Sequence, residues 1–185
     1  MARIVYSMLT SLDGYIARSD EDIGLPVPET ELHQHFNDMM RQASAVLAGR
    51  RMYETMRFWD SPERETGAAE VERDFAQAWR ETPKIVFSTT LRQVGLNARL
   101  MSGDAENTVR SLKDQTGGLV ILGGADLAAS LARAGLIDEY RLYMHPVVLG
   151  GGKPYFQPGL SLALKPLGTE SLTQGVTLLR YAPAG

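Results

Sequence analysis

The sequence contains no cysteine among its 185 residues. Disulfide bonds, thiolate nucleophiles and cysteine-ligated zinc sites are therefore excluded. No apolar run approaches the roughly 20 residues that a membrane-spanning helix needs. The first residues enter a strand-like run without the long apolar stretch of a secretory signal peptide. These absences lead us to expect a cytoplasmic protein that does not bind membranes.

Neither sign of charge dominates, because the sequence has 19 basic and 22 acidic residues and a formal net charge of −3. A nucleic-acid or membrane-surface binder needs a concentrated basic footprint, and the sequence has no large block of one sign. We therefore expect neither kind of partner. A small anionic ligand, held by a few local cations, is compatible with this composition.

Most of the sequence consists of alternating strand-like and helix-like segments, and this alternation predicts an α/β fold. Hydrophobic residues make up 44% of the chain and charged residues 22%, which is typical of a globular protein. The length suits a single domain spanning residues 1–185. The alternation runs to about residue 136 and predicts a mostly parallel central sheet with helices on both faces. The last two segments lack a helix between them, which predicts an antiparallel C-terminal edge.

The apolar spacing and the helix signals set the predicted boundaries. The strands are predicted at 4–9, 45–48, 84–88, 98–102, 119–122, 139–148, 160–168 and 175–182. The helices are predicted at 29–41, 50–57, 68–80, 104–115 and 126–134, with Thr30 and Asp104 as candidate caps. Residues 19–30 and 60–67 are predicted loops.

Three predicted junctions follow the carboxyl ends of strands, where ligands bind in open α/β sheets. In the first junction, a strand ends at Gly49 and a helix begins at Arg50 and Arg51. Arginine is poorly placed at a helix start, which already carries partial positive charge, so two arginines there suggest a nearby anion. A solvated pair of surface arginines is the alternative, and for this motif alone it is the favoured one.

The other two junctions carry weaker signals. Gly123 and Gly124 lie between a buried strand and a helix, where paired glycines let a phosphate approach the backbone closely. The pair falls short of the full dinucleotide fingerprint, so a tight turn is equally compatible. Ser88 and Thr89 follow another strand, and their hydroxyls could bind phosphate or ribose oxygens. Hydroxyl residues are also common in ordinary turns.

Asp13 is the candidate catalytic residue, since it follows the first strand at the same predicted edge of the sheet. Its carboxylate could transfer a proton or bind a ligand, or it could cap its own turn. His33 and His35 lie two apart on a predicted helix and point to different faces, so they do not form a metal pair. His145 stands alone in a predicted strand, where we expect a structural role. The sequence thus predicts no metal site.

Together these segments resemble the dihydrofolate-reductase superfamily, and most closely its bacterial branch related to the reductase domain of the riboflavin-biosynthesis deaminase-reductase. The matching segments span most of the chain in the expected order, at 11–17, 49–54, 87–90, 122–125 and 146–156. The resemblance implies a dihydrofolate-reductase-like three-layer fold. It also implies hydride transfer from NADPH to a small pyrimidine- or pterin-like heterocycle, as in 5-amino-6-(5-phosphoribosylamino)uracil reductase.

The resemblance also implies where the cofactor binds. The helix that starts at Gly49, Arg50 and Arg51 would hold the dinucleotide phosphates. Ser88 and Thr89, with one of the arginines, would face the adenosine 2′-phosphate, which favours NADPH over NADH. The remaining implied contacts lie near the nicotinamide (Leu12, Asp13, Gly14 and Ala17) or the pyrophosphate (Gly123, Gly124 and Ala125).

The chain departs from the family pattern in two respects. It lacks the zinc deaminase domain of the bifunctional enzyme, so we expect a stand-alone reductase-like domain. It also lacks a clear match to the acidic residue that protonates folate, for which Glu31 is nearest in position. The substrate therefore stays open. The alternative function is a non-catalytic module that kept the fold to bind a nucleotide or small ligand. Relatives commonly pair, so we expect a homodimer, with the strand at 140–144 as a candidate contributor.

Overall fold

The computed structural model describes residues 1–19, 22–62, 68–115 and 117–185. The strands in these residues are β1 Ala2–Thr10, β2 Tyr15–Ala17, β3 Ala43–Gly49, β4 Lys84–Phe87, β5 Ala98–Met101, β6 Gly118–Gly123, β7 Glu139–Met144, β8 Lys153–Pro154, β9 Leu164–Ser171 and β10 Thr177–Pro183. The α-helices are α1 Thr30–Gln42, α2 Arg50–Met56, α3 Glu70–Glu81, α4 Ala105–Gln115 and α5 Ala125–Arg133. Within the described ranges, no helix has the length and apolar character needed to cross a membrane.

Eight strands form the central sheet in the order β5-β4-β3-β6-β1-β7-β10-β9. The six strands from β5 to β7 are parallel, whereas β10 runs antiparallel to both β7 and β9. The predicted parallel sheet with an antiparallel C-terminal edge is thus confirmed. The sequence did not predict β2 and β8, which pair with each other outside the main sheet.

Alternation along each strand divides the core between the two faces of the sheet. Tyr6 of β1, Leu47 of β3 and Leu122 of β6 are buried in one cluster, together with residues of α4 and α5. Val46 of β3 and Val86 of β4 face the other way, into a second cluster beneath α1, α2 and α3. Helices therefore cover both faces, which confirms the predicted three layers.

The third helix shows how the sequence fixes an element at both ends. The N–H of Ala69, which precedes the helix, donates to a Glu72 carboxylate oxygen at 3.1 Å. At the other end, the Lys84 side chain is buried and its ammonium donates to the carbonyls of Trp79 and Thr82 at 2.5 and 2.9 Å. A helix leaves its last carbonyls without intrahelical partners, and this lysine satisfies two of the oxygens at that end.

The caps and loops follow the predictions in part. Asp104 caps α4 as predicted, because its carboxylate accepts the N–H groups of Glu106 and Asn107 at 2.9 and 3.2 Å. Thr30 is not a cap but the first residue of α1, which Glu29 precedes without a side-chain cap. Parts of the two predicted loops, residues 20–21 and 63–67, lie outside the described residues.

The predicted strand at 139–148 is too long, since β7 ends at Met144. The N–H of His145 donates to the carbonyl of Thr10, where β1 also ends, and Pro146 has no N–H with which to continue the ladder. The strand lies between β1 and β10, so both of its backbone edges are already paired. Its backbone edges are therefore not free to pair with a second subunit, and both the homodimer and the part of this strand in it stay predictions.

Candidate functional site

The three predicted junctions lie side by side along the carboxyl edge of the sheet. Ser88 follows β4, Gly49 ends β3 and Gly123 ends β6, and these three strands are neighbours. The strand register places the three strand ends at the same height in the sheet, because Gly49 pairs with Phe87 and Ala48 pairs with Gly123. The structure therefore brings together the segments to which the sequence assigned anion binding.

Two of these junctions form a cradle that glycine keeps open. Gly124 precedes α5 with φ +99°, a conformation that L side chains rarely adopt. A Cβ atom there would lie 3.4 Å from the Cβ of Met52 and 3.9 Å from the backbone nitrogen of Gly49. A Cβ atom at Gly123 would lie 3.0 Å from the Cγ of Met52. Side chains at these positions would fill the space between the starts of α2 and α5.

The starts of both helices lack a side-chain cap. The first N–H groups of a helix have no intrahelical partner, and they carry partial positive charge. An anion placed between α2 and α5 would meet backbone donors from both. Ala125, the first residue of α5, is only 2% exposed, so it would contribute its main chain rather than its side chain.

The arginines at the start of α2 are exposed. The Arg50 Nε atom lies 3.9 Å from a carboxylate oxygen of Glu54, which is a loose contact between two half-exposed side chains. The Arg51 carbonyl accepts the hydroxyl of Thr55 at 3.0 Å, so the backbone of this residue belongs to the helix. Exposed ion pairs of this kind are weak. The Arg50 guanidinium could therefore turn toward a phosphate at little cost.

Ser88 holds its own turn at the neighbouring junction. Its hydroxyl oxygen accepts the N–H groups of Thr90 and Leu91 at 3.1 and 3.0 Å. A serine hydroxyl keeps one hydrogen to donate when its oxygen accepts, so Ser88 can still donate to a ligand. Thr89 is exposed on the same turn.

The contacts of Asp13 favour a structural role. Its two carboxylate oxygens accept the N–H groups of Leu149 and Gly150 at 3.1 and 2.8 Å. The hydrogen bond from Ser11, and then those from the backbone of Leu149 and Gly150, hold the pKa of Asp13 below its usual value. The side chain is thus an anion that ties the turn after β1 to the segment after β7. Its role in proton transfer stays a prediction.

A second set of contacts joins the same two segments. The carbonyl of Gly14 accepts the N–H of Tyr155 at 2.9 Å, and Ala17 of β2 pairs with Lys153 of β8. A Cβ atom at Gly152 would lie 2.0 Å from the carbonyl oxygen of Ala17, so only glycine permits this approach. Leu12 projects from this pair of segments with 60% of its surface exposed. These residues form one wall of the site.

Sequence reasoning missed an ion pair at this edge. The Lys153 ammonium lies 2.5 Å from a carboxylate oxygen of Asp126, the second residue of α5. The two residues are 27 positions apart in the sequence. The sequence signal for the pair is weak, since each residue merely lies within a few positions of consecutive glycines.

The three histidines differ in their surroundings. The His33 ring lies 3.1 Å from the Asn37 side-chain oxygen, and the His35 ring lies 3.0 Å from the Tyr143 hydroxyl, so both have structural partners. His145 is 1% exposed, and neither ring nitrogen has a partner among the described residues. Burial lowers the pKa of His145. No group of three or more potential metal ligands occurs in the described part of the chain.

The model of the RibD C-terminal domain family matches residues 2–178. The chain belongs to this family. The resemblance to the reductase domain of the riboflavin-biosynthesis enzyme is thereby confirmed. The match covers every segment on which the resemblance rested, from the turn after β1 to the glycine-rich segment before β8.

Individual relatives and solved structures match nearly the whole of this chain. YyaP of Bacillus subtilis, described as uncharacterized, is 28% identical over 181 residues, which are 97% of this chain and 94% of that one. A Shewanella sp. PV-4 protein with a riboflavin-biosynthesis name shares the fold at a TM-score of 0.76 and 23% identity, with both chains fully covered. The diaminohydroxyphosphoribosylaminopyrimidine deaminase/5-amino-6-(5-phosphoribosylamino)uracil reductase of Thermotoga maritima matches at a TM-score of 0.65 and 15% identity. That match covers 99% of this chain and 57% of the Thermotoga chain.

Proposed function

We propose that this chain is an oxidoreductase that binds NADPH and transfers hydride to a small pyrimidine- or pterin-like heterocycle. The observation that carries the proposal is the cradle between the starts of α2 and α5. There, glycine at 49, 123 and 124 leaves backbone donors accessible where side chains would fill the space. Membership in a riboflavin-pathway reductase family supports the reaction class.

The residues at the carboxyl edge fit a dinucleotide phosphate. The backbone at Gly124 and Ala125 would hold the pyrophosphate, as helix starts commonly do. Arg50 or Arg51, with the hydroxyls of Ser88 and Thr89, would hold the 2′-phosphate that distinguishes NADPH from NADH. When bound, the cofactor supplies the hydride, and the protein supplies binding and orientation.

The wall formed by the segments after β1 and β7 would lie beside the nicotinamide. Leu12 offers an exposed apolar surface there. Such a surface excludes water from a bound ligand, and the exclusion of water strengthens the electrostatic interactions of the site. Asp13 fixes the wall through its two backbone hydrogen bonds. We assign it to positioning, because a carboxyl group with a lowered pKa is a poor proton donor at neutral pH.

The substrate class rests on the relatives. The name of the Thermotoga maritima protein specifies reduction of a phosphoribosylated aminouracil, and a pyrimidine is therefore the first heterocycle to test on this chain. The alternative is a non-catalytic module that binds a nucleotide. The engagement of both Asp13 oxygens by backbone groups favours this alternative, since it leaves the site without an assigned proton donor.

Titration with NADPH, followed by nicotinamide fluorescence, tests the proposal. We expect wild-type protein to bind at sub-millimolar cofactor. We expect Gly49→Ala to bind about tenfold more weakly, since the added methyl group would keep a phosphate away from the backbone donors, and one lost hydrogen-bonded contact corresponds to roughly that factor. The added methyl would lie 3.9 Å from the Cβ atom of Leu127, which is an ordinary van der Waals contact, so the variant should fold.

Gly117→Ala is the matched control, because Gly117 precedes β6 at the opposite edge of the sheet and nothing lies within 4 Å of a Cβ atom at that position. Its affinity should equal that of the wild type. Absence of NADPH binding at sub-millimolar concentration would contradict the proposal. If NADPH binds and no pyrimidine or pterin is reduced, the non-catalytic alternative is supported instead.

A further inference from the structure

The Lys153–Asp126 ion pair lies beside the cradle and joins α5 to the wall formed by the segments after β1 and β7. The nitrogen and oxygen atoms are 2.5 Å apart, and the side chains are 32% and 71% exposed. Exposed ion pairs add little to stability. The position of this pair points to a role in binding instead, because it links β8 to the start of α5 next to Gly124.

Asp126 lies in the first turn of α5, close to the helix start that an incoming phosphate would favour. A carboxylate in the first turn of a helix is stabilised by the partial positive charge at that end. The same positive end would attract the cofactor pyrophosphate. Two anions so close together repel each other, so Asp126 opposes cofactor binding unless its charge is neutralised.

The backbone at Lys153 is held by strand pairing, whereas its ammonium group is carried on a flexible side chain. Its strand pairs with β2 through Ala17, and the N–H of Tyr155, two residues further on, donates to the carbonyl of Gly14. The lysine side chain carries its ammonium on a flexible four-carbon stem. The ammonium can therefore move between neighbouring acceptors while the wall that carries it stays in place.

We propose that the Lys153 ammonium leaves Asp126 and binds a phosphate oxygen of the dinucleotide when the cofactor binds. Lys153 is then a cofactor-binding residue, and Asp126 is a competitor that lowers cofactor affinity. This inference rests on the proposed NADPH function and deepens it. It assigns opposite effects to the two partners of one ion pair.

Affinity measurements on two variants test the opposite effects. We expect Lys153→Met to bind NADPH about tenfold more weakly, because one phosphate contact is lost and the Asp126 charge is left uncompensated. We expect Asp126→Asn to bind about threefold to tenfold more tightly, because the competing anion is removed and the lysine is released. Both differences should shrink in high salt, which screens exposed charges.

Two control variants carry the same charge changes away from the site. Asp114→Asn lies near the end of α4, and Lys165→Met lies near the start of β9, with both residues exposed. Their NADPH affinities should stay within about twofold of the wild type, since surface changes remote from a site have small effects. Thermal unfolding of all four variants, measured without cofactor, shows whether each folds.

Different results are expected if the Lys153–Asp126 ion pair has only a structural role. Both variants would then weaken NADPH binding or leave it unchanged, and either result for Asp126→Asn overturns the inference. An unchanged affinity in Lys153→Met overturns it too. If the wild type binds NADPH, such a result leaves the proposed function standing. If the wild type binds no NADPH, the proposed function and this inference both fail.

Discussion

At the scale of single residues, Asp13 shows how a reactive side chain can serve the architecture of a site. Its carboxylate holds two backbone N–H groups of the segment after β7. The sequence predicted that Asp13 lies at the functional edge, and it left proton transfer and turn capping as alternatives. The two alternatives are distinguished by the hydrogen-bond partners Leu149 and Gly150. These lie 136 and 137 positions further along the chain, where no local pattern reveals them.

Replacing Asp13 tests this positioning role. In Asp13→Asn, one oxygen that accepts an N–H is replaced by an amide that donates, so the segment around Leu149 and Gly150 should loosen. Hydrogen exchange at those two amides should accelerate by about tenfold or more, since local opening sets the exchange rate there. Exchange in β3 and β6 should not change.

The matched control for this variant is Asp114→Asn, which makes the same chemical change at an exposed position on α4. It should leave exchange at both amides unaltered. Unchanged protection in Asp13→Asn would show that the two hydrogen bonds do not hold the wall of the site.

At the scale of elements, the parts predicted well were those with local signals. The strand that ends at Gly49 and the strand that ends at Gly123 are short apolar runs followed by glycine and a helix. Their apolar runs, glycines and helix starts all lie within a few residues, so the sequence placed both junctions.

The short strands β2 and β8 had no such signal. They contain three and two residues, which is too few to show periodicity. They pair because Gly152 allows the backbone to approach Ala17, a contact between distant parts of the chain. For the same reason, the partner of Asp126 could not be predicted.

The lysine that caps α3 gives a prediction at this scale. Lys84→Met keeps the apolar stem and removes two charge-assisted hydrogen bonds to carbonyl oxygens. It also removes the ammonium 4.7 Å from the Trp79 ring centre. We expect the free energy of unfolding, measured by urea denaturation, to fall by about 2 kcal/mol.

Lys165→Met is the control, because this lysine is exposed on β9, and its effect should stay within about 0.5 kcal/mol. Burial lowers the pKa of Lys84, so part of the lost interaction is offset by relief of desolvation. A Lys84→Met protein as stable as the wild type would show that the two effects cancel and that the cap contributes nothing.

At the scale of the whole molecule, the central sheet is what makes the site. Residues from four separate parts of the chain meet along its carboxyl edge, at the ends of β1, β4, β3 and β6. The alternating pattern predicted a parallel sheet, and a parallel sheet gathers the ends of its strands on one edge. The order of the strands was not predictable from local patterns, because it depends on which strands pair.

The central claim is that this edge binds NADPH, and amide NMR spectra recorded during a titration test it most directly. We expect the largest shifts at 49–52, 88–90 and 123–126, with smaller ones at 12–17. NADH should perturb 88–90 much less, because it lacks the 2′-phosphate. The account would be contradicted by shifts that cluster away from the carboxyl edge. It would also be contradicted if sub-millimolar NADPH caused no shifts at all.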